Sequence, residues 1–259
     1  MRTVLSIAGS DCSGGAGIQA DIKTITVHKL YAMSVITALT AQNTTGVSDI
    51  YEVSPEFVAK QLDMVFMDIH PDAVKIGMVS NRQTIEVIAD KLIQYRAEKV
   101  VLDPVMVATS GSRLIEDAAI RLLTDRLMPL ADVITPNIPE AEVLSGLTVN
   151  TKDDMLQAAQ RIAGYYNGVI LIKGGHLIGD SDDLLYGRSD LHWFSTLRID
   201  NPNTHGTGCT LSSAIACNLA LGNNIRDSVS LAKDFLTGAL KSGLDLGTGN
   251  GPLNHCYML

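Results

Sequence analysis

The sequence predicts one α/β domain in which helices cover both faces of a mostly parallel sheet. Short apolar runs with strand character alternate with longer stretches of helical periodicity from Thr3 to Ser242. This alternation is typical of parallel strands joined by helical crossovers. Of the 259 residues, 46% are hydrophobic but only 5% are aromatic, so small aliphatic residues form the core, as in buried parallel strands. No linker, repeat or low-complexity segment interrupts residues 1–259, so we expect a single domain.

The strand predictions rest on short runs of β-branched and aliphatic residues bounded by polar residues or glycine. In chain order they are Thr3–Ala8, Ala32–Leu39, Ala73–Ile76, Val100–Leu102, Val133–Thr135 and Val169–Ile172. Two further runs, Leu184–Tyr186 and His192–Leu197, flank the turn-forming stretch Gly-Arg-Ser-Asp. This arrangement predicts an antiparallel hairpin at the edge of the sheet.

The helix predictions rest on apolar residues that recur at intervals of three and four, such as Ile18, Ile22 and Ile25. Pro55 suits the first turn of a helix, where no intrahelical donor is needed. In chain order, helices are predicted from Gly17 to about Leu30, from Pro55 to Ile69, and over Gln83–Tyr95, Ala118–Leu127, Glu140–Leu144, Met155–Tyr166, Thr210–Leu221 and Ile225–Ser242.

Charge and cysteine content exclude several functional classes. The net charge of −8 argues against nonspecific binding to nucleic acid or to an anionic membrane surface. The first strand begins almost at once, with no signal peptide before it, and no apolar run reaches the roughly 18 residues of a membrane span. Cys12, Cys209, Cys217 and Cys256 form no C-x-x-C pair and have no zinc-site spacing. We therefore expect free thiols and a cytoplasmic protein.

The most informative stretch is Thr-His-Gly-Thr-Gly-Cys-Thr at 204–210, directly before a predicted helix. Gly206 and Gly208 can leave backbone N–H groups free at the helix start, which is a common binding site for phosphate. Cys209 lies in the first helical turn, where the pKa of a thiol is lowered and its thiolate fraction rises. The alternative is a tight turn that needs glycine, with Cys209 buried as a small apolar residue.

Polar residues follow three other predicted strands. Asp103, Asn137 and Glu140 offer oxygen atoms of the kind that Mg²⁺ prefers. The alternative is that Asn137 or Thr135 caps the short helix and Glu140 complements its dipole. Lys173 ends an apolar strand, where a lysine is costly unless its charge is used. A phosphate partner would explain this lysine, and so would simple exposure at the strand end.

The polar ends of the first two strands predict a binding cleft. The glycine-rich loop Gly9–Gly17 matches neither a Walker A loop nor a dinucleotide fingerprint, so it either closes over a ligand or is a flexible turn. Asp21 either faces the same cleft or is a solvated helix carboxylate. The carboxamide of Gln42 matches a ring nitrogen beside an exocyclic amine, although a turn-forming role would also explain it. His205 precedes the glycine turn and is a candidate for orienting it.

Seven motifs occur in a specific order and spacing. They are Ala-Gly-Ser-Asp-x-Ser-Gly-Gly-Ala-Gly-Ile-Gln-Ala-Asp at 8–21, Thr-Ala-Gln-Asn-Thr at 40–44, Lys-Ile-Gly-Met at 75–78, Leu-Asp-Pro-Val-Met at 102–106, Thr-Pro-Asn-x-x-Glu-Ala at 135–141, Lys-Gly-Gly-His at 173–176 and Asn-Thr-His-Gly-Thr-Gly-Cys-Thr at 203–210. Together they resemble the hydroxymethylpyrimidine/phosphomethylpyrimidine kinases of thiamine biosynthesis, in the ribokinase-like superfamily. The resemblance covers essentially the whole chain.

The resemblance implies a ribokinase-like three-layer α/β/α sandwich and a homodimer. It implies phosphorylation of 4-amino-5-hydroxymethyl-2-methylpyrimidine by ATP with Mg²⁺, first to the monophosphate and then to the diphosphate. Pyridoxal kinases of the same superfamily are the alternative, but they often lack a glutamine at the position of Gln42. Cys12 is a departure, since relatives commonly carry Pro or another small residue there.

The resemblance also assigns roles to individual residues. Cys209 takes the position of the catalytic base, which is Asp in sugar kinases, beside Gly206 and Gly208. The pyrimidine pocket is formed by Gln42, Asp21, Gly9, Met78 and Val105. The ATP contacts are Asn137, Lys173 and Thr207, and Asp103 and Glu140 hold Mg²⁺ through water.

Overall fold

The structure, a computed structural model, describes residues 1–106, 117–175, 182–187, 190–195, 199 and 201–259. Its strands are β1 Thr3–Asp11, β2 Tyr31–Asn43, β3 Gly46–Glu52, β4 Ala73–Ile76, β5 Val100–Leu102, β6 Val133–Ile134, β7 Val169–Ile172, β8 Asp183–Tyr186 and β9 Leu191–Phe194. Its helices are α1 Gly17–Val27, α2 Pro55–Asp68, α3 Arg82–Tyr95, α4 Asp117–Leu122, α5 Ile138–Ser145, α6 Lys152–Ala163, α7 Thr207–Ala220 and α8 Ile225–Lys241. A π-helical turn, Leu123–Leu127, and a 3₁₀ turn, Met128–Leu130, continue α4.

The described strands form one sheet in the order β3-β2-β1-β4-β5-β6-β7-β8-β9. The pairings from β2 to β7 are parallel, while β3 pairs antiparallel with β2, and β8 and β9 form an antiparallel edge. The prediction of a mostly parallel sheet with an edge hairpin is therefore confirmed. Leu197 of the predicted hairpin, like His176, lies outside the described residues.

The opposite edge of the sheet differs from the prediction. Strand β2 extends to Asn43, and Gly46–Glu52 returns beside it as β3, which the sequence analysis missed. None of the β3 residues is fully buried, so the strand lacks the apolar alternation that predicts a half-buried strand. Its position follows from pairing with β2 rather than from a sequence pattern of its own.

Alternate strand residues pack into two separate hydrophobic cores, one on each face of the sheet. Leu5 of β1 belongs to the core shared with α2, α3, α5 and α6. Its neighbour Val4 belongs to the core shared with α1, α7 and α8. The sheet is thus the middle of three layers. None of the described helices is long and apolar enough to cross a membrane.

Helix α7 is the most deeply enclosed helix around the site. Every residue from Thr210 to Ala220 is buried, because α7 packs against α1, α8 and the sheet. The helix begins at Thr207, close to the ends of β5 and β7. In sheets of this kind, ligands bind outside the carboxyl ends of the strands. The start of α7 therefore lies where a ligand is expected.

Candidate active site

The amino-terminal end of α7 lies against two other sequence-predicted site elements. Gly206 precedes the helix with φ +85°, and a Cβ there would collide with the carbonyl oxygen of Gly15. A Cβ on Gly208 would lie 3.3 Å from Oδ2 of Asp103 and 3.4 Å from Nζ of Lys173. The two glycines therefore let the helix start approach the glycine-rich loop and a charged pair. Thr207 is the first residue of α7 and is half-buried.

Asp103 and Lys173 form that charged pair at the ends of β5 and β7. The ammonium of Lys173 donates to Oδ1 of Asp103 at 2.8 Å, and the hydroxyl of Thr135 donates to the same oxygen at 3.0 Å. The Lys173 side chain keeps 16% of its surface exposed. Burial acts to lower the pKa of Lys173, but the charges of Asp103 and Glu140 outweigh it and raise the pKa. Lys173 is a permanent cation beside the start of α7.

Asn137 and Glu140 form a capping box at the start of α5. The backbone N–H of Glu140 donates to Oδ1 of Asn137 at 2.9 Å, and the N–H of Asn137 donates to Oε2 of Glu140 at 2.8 Å. The capping role, which was the alternative to a magnesium site for Asn137 and Glu140, is thus observed in the structure. Glu140 is nevertheless buried close to the charged pair, and burial raises its pKa to about 7, with Lys173 opposing and Asp103 adding to the rise.

The carboxylates fit a cation that keeps most of its ligands as water and phosphate. Within the described residues, no group of three or more His, Cys, Asp and Glu side chains could hold a metal ion. The hydrogen bonds described for the Asp103 side chain fall on Oδ1, and the two oxygens of Glu140 accept from the backbone of Asn137 and Met106. Such sites suit Mg²⁺, which is often bound through one or two carboxylates and its own waters.

Cys209 lies in the first turn of α7, as expected, but the predicted lowering of its pKa is wrong. Burial raises the pKa of Cys209 to about 11. The charge of Lys75 acts against this rise, whereas the charges of Asp21 and Asp103 add to it. The sequence locates the thiol at a helix terminus, but it does not reveal the loss of water around it. The neutral thiol is the dominant form at pH 7.

Asp21 lies beneath the site rather than on an exposed wall. It is fully buried, and both of its oxygens accept from Nζ of Lys75, at 2.8 and 2.9 Å. The hydroxyls of Ser6 and Ser213 donate to the same carboxylate at 2.5 and 2.7 Å. This geometry leaves no exposed surface for a direct substrate contact, so the interpretation of Asp21 as a substrate-reading residue is not supported.

Lys75 is the main residue that the sequence analysis missed. It is fully buried in β4, where burial acts to lower its pKa, but the charges of Asp21, Cys209 and Asp103 raise it. Ser213 lies one helical turn after Cys209 on α7 and donates to Asp21. The Lys75–Asp21 pair therefore ties β4 and α1 to the face of α7 that carries Cys209. A lysine inside the apolar strand Ala-Val-Lys-Ile was the signal that could have found it.

The remaining predicted pocket residues lie along β1, β2 and the ends of β4 and β5. A Cβ on Gly9 would be 3.5 Å from the Sδ and Cε atoms of Met78, so these two residues are in contact. Val105 is half-buried just after β5. Gln42 is half-buried on β2 and faces an open cleft of about 500 Å³. The cleft is lined by Cys12, Ala41, Gln42, Asn43, Thr45, Gly46, Val47 and Ser48.

Asp11 organises the glycine-rich loop, a role that the sequence analysis did not assign. Its carboxylate accepts from the backbone N–H groups of Ser13, Gly15 and Ala16 at 2.8–3.1 Å and from Nε2 of His205 at 2.8 Å. Burial acts to raise the pKa of Asp11, but these hydrogen bonds lower it to about 2. His205 thus joins the loop to the glycine turn, consistent with its expected orienting role.

Sequence comparison finds a matching family model and similar proteins of known name. The family model described as phosphomethylpyrimidine kinase matches residues 11–254. The chain is 45% identical to a hydroxymethylpyrimidine/phosphomethylpyrimidine kinase of Streptomyces coelicolor, over 99% of this chain and 95% of that protein. It is 52% identical to the thiamine biosynthesis bifunctional protein ThiED of Geobacter sulfurreducens over 98% of this chain, but it spans only 52% of that longer protein.

Two solved structures are also similar. The phosphomethylpyrimidine kinase of Clostridium difficile superposes with a TM-score of 0.83 at 44% identity, over 92% of this chain and 98% of that one. An ADP complex of Bacillus subtilis pyridoxal kinase superposes with a TM-score of 0.92 at 35% identity, over 100% of this chain and 98% of that one. The ribokinase-like three-layer fold that the motifs imply is confirmed. The chain belongs to the phosphomethylpyrimidine kinase family.

Proposed function

We propose that this chain transfers the γ-phosphoryl group of ATP to the hydroxymethyl oxygen of 4-amino-5-hydroxymethyl-2-methylpyrimidine, and then phosphorylates the monophosphate to the diphosphate, in thiamine biosynthesis. One observation carries the proposal: the start of α7 lies within contact distance of the Asp103–Lys173 pair at Gly208. A helix terminus beside a fixed cation is suited to a transferring phosphoryl group. The names of the relatives support the choice of substrate.

The proposed roles follow from the charges of the site. The backbone N–H groups of Gly206, Gly208 and Cys209 bind the transferring phosphoryl group, and Lys173 neutralises its charge. Thr207 and Asn137 contact the ATP phosphates. When bound, Mg²⁺ would be held through water by Asp103 and Glu140 and would further neutralise the phosphates.

Cys209 is the proposed acceptor of the hydroxymethyl proton. With a pKa raised to about 11 by burial, only about one thiol in 10⁴ is ionised at pH 7. Phosphoryl transfer passes through a loose transition state in which positioning and charge neutralisation supply most of the rate. We therefore expect Cys209→Ala to lower kcat less than loss of Lys173.

The second candidate substrate is pyridoxal, which the structural similarity to Bacillus subtilis pyridoxal kinase favours. The pyrimidine is the better candidate because the Gln42 carboxamide can pair with a ring nitrogen and the 4-amino group. In Gln42→Met we expect the preference for the pyrimidine over pyridoxal to decrease. An unchanged ratio of the two kcat/KM values would exclude this role for Gln42.

ADP release measured with ATP, Mg²⁺ and each substrate in turn tests the proposed function. We expect turnover with hydroxymethylpyrimidine and with its monophosphate, and a much lower kcat/KM with pyridoxal. Lys173→Met is the matched control for contaminating kinases. Turnover confined to pyridoxal, or no dependence of turnover on Lys173, would contradict the proposal.

A cytoplasmic location and a homodimer stay predictions. Side chains exposed on β3 and α2, which follow one another in the chain, support assembly, because Tyr51, Met64 and Met67 each expose more than 70% of their surface. Sedimentation equilibrium would test the homodimer.

A further inference from the structure

The Gln42 carboxamide has an unusual neighbour in the structure. Its Nε2 atom lies 3.4 Å from Nε2 of His205, while its Oε1 atom is 3.0 Å from the hydroxyl of Thr40. The same His205 nitrogen lies 2.8 Å from Oδ2 of Asp11. Asp11 and His205 are both more than 90% buried. These contacts connect the glycine-rich loop, the helix start and the proposed reader of the pyrimidine.

Hydrogen-bond accounting restricts the proton positions in this group. The carboxylate of Asp11 only accepts, so Nε2 of His205 must carry the proton that it donates. That nitrogen then has no lone pair for the amino group of Gln42. The Thr40 hydroxyl has a single proton to donate. Its Oγ1 atom lies 3.0 Å from both the Ser10 carbonyl oxygen and Oε1 of Gln42, so it can donate to only one of them.

One amide orientation removes both conflicts, at His205 and at Thr40. If the carboxamide turns by 180°, its amino group donates to Thr40, and the Thr40 hydroxyl donates to the carbonyl of Ser10. The amide oxygen of Gln42 then faces the N–H of His205. Exchanging the oxygen and nitrogen of an amide leaves its shape unchanged, so the neighbouring protons decide the orientation.

We propose that Asp11 and His205 are positioning residues that fix the orientation of the Gln42 carboxamide and so set the donor–acceptor pattern that the site accepts. This inference rests on the proposed role of Gln42 in reading the pyrimidine. Asp11 keeps the proton on Nε2 of His205, and that N–H, which donates to Asp11, disfavours the Gln42 amino group and favours the amide oxygen beside it. A ring acceptor next to an exocyclic donor is accepted, and the reversed pattern is rejected.

The reversed pattern is available in a 4-oxo analogue of hydroxymethylpyrimidine, in which the ring nitrogen donates and the exocyclic oxygen accepts. For the wild-type enzyme we expect kcat/KM for the 4-amino substrate to exceed that of the analogue by about 10²-fold or more, because mispaired polar groups are costly. In Asp11→Asn, a neutral amide no longer fixes the His205 proton, so this ratio falls by about tenfold.

Ser13→Ala is the matched control, since its hydroxyl donates to the other oxygen of Asp11 at 2.8 Å, and the hydrogen bonds described for Ser13 do not include His205 or Gln42. We expect it to keep the wild-type ratio. An Asp11→Asn variant that loses kcat/KM equally for both substrates would overturn the inference, because Asp11 would then only shape the loop.

The histidine ¹⁵N spectrum of the wild-type enzyme tests the inference without any variant. We expect a protonated Nε2 on His205, and an unprotonated Nε2 would overturn the inference even if Asp11→Asn fails to fold. Failure of the proposed function is a separate result, since the wild-type enzyme would then release no ADP with hydroxymethylpyrimidine.

Discussion

Two Lys–Asp pairs lie near Cys209, and they differ in how completely the protein encloses them. Asp21 receives both contacts of Lys75 and the hydroxyls of two serines, and neither member of the pair is exposed. Asp103 receives Lys173 and Thr135 on one oxygen, and the Lys173 side chain keeps 16% exposure. The same residue types thus form one closed pair, Lys75–Asp21, and one open pair, Lys173–Asp103.

The difference indicates which pair can act on a ligand. In the closed pair the Asp21 carboxylate accepts four hydrogen bonds and neither side chain is exposed, so its role is to position the elements that it joins. An open pair beside a helix start can bind phosphate without first breaking its own contacts. The residual exposure of Lys173 indicates a binding role for the open pair. Burial of a charge, as in Lys75–Asp21, does not by itself indicate such a role.

Breaking the closed pair should have the largest effect, and the effect should be on stability. Lys75→Met leaves the carboxylate of Asp21 buried without its cation, which typically costs about 3–5 kcal/mol. Urea denaturation measures this loss. Replacing both members, as in Asp21→Leu with Lys75→Met, should recover most of it, because an apolar pair is often as stable as a buried ion pair. A single-variant loss below about 1 kcal/mol would contradict the account.

Breaking the open pair should act on the reaction instead. Lys173→Met removes the cation beside the start of α7, and we expect kcat for ADP formation to fall by about 10²–10³-fold, as for other groups that stabilise transition-state charge. The free energy of unfolding should fall less than in Lys75→Met, since water reaches this pair. A variant with kcat near the wild-type value would show that Lys173 does not contact the phosphates.

A smaller change should crowd the open pair without removing a charge. In Gly208→Ala the new Cβ would lie 3.3 Å from Oδ2 of Asp103 and 3.4 Å from Nζ of Lys173. We expect kcat to fall by roughly tenfold through misplacement of these groups, with a small effect on stability. Gly175→Ala is the matched control because a Cβ there meets no atom of the described residues within 4 Å. Equal losses in the two variants would contradict the account.

The smallest effect at neutral pH concerns the thiol of Cys209, which lies near both pairs. Because burial raises the pKa of Cys209 to about 11, its alkylation by iodoacetamide should be slow at pH 7 and rise about tenfold per pH unit until pH approaches 11. Cys12 and Cys256 are exposed, so the measurement uses Cys12→Ser with Cys256→Ser. A rate that levels off near pH 8 would restore the expectation of a lowered pKa.

The sequence predicts the open pair better than the closed one. A lysine at the end of an apolar strand is conspicuous, so Lys173 was identified as a site residue together with Asp103. Asp21 lies three residues after Ile18 and four before Ile25, on the buried face of α1, whereas Ile22 is 36% exposed. Helical periodicity alone did not show which face of α1 was buried, so Asp21 was assigned to the wrong surroundings.

Other differences between the sequence-based predictions and the structure also arise from contacts that the sequence pattern does not display. The layers and parallel strand pairings follow from apolar patterns, which the sequence displays directly. Strand β3 depends on its neighbour, and the pKa of Cys209 depends on burial by elements distant in the chain. The contact of Asp11 with His205 joins residues separated by 194 positions, and the folded chain brings them together.

The open Asp103–Lys173 pair serves the reaction, and the closed Asp21–Lys75 pair serves the structure. The most direct test is kcat for ADP formation, at saturating hydroxymethylpyrimidine and ATP, in Lys173→Met and in the double variant Asp21→Leu with Lys75→Met. We expect a loss of about 10²–10³-fold in Lys173→Met and a loss of less than about tenfold in the folded double variant. Equal losses in the two proteins would contradict it, because the closed pair would then belong to the chemistry.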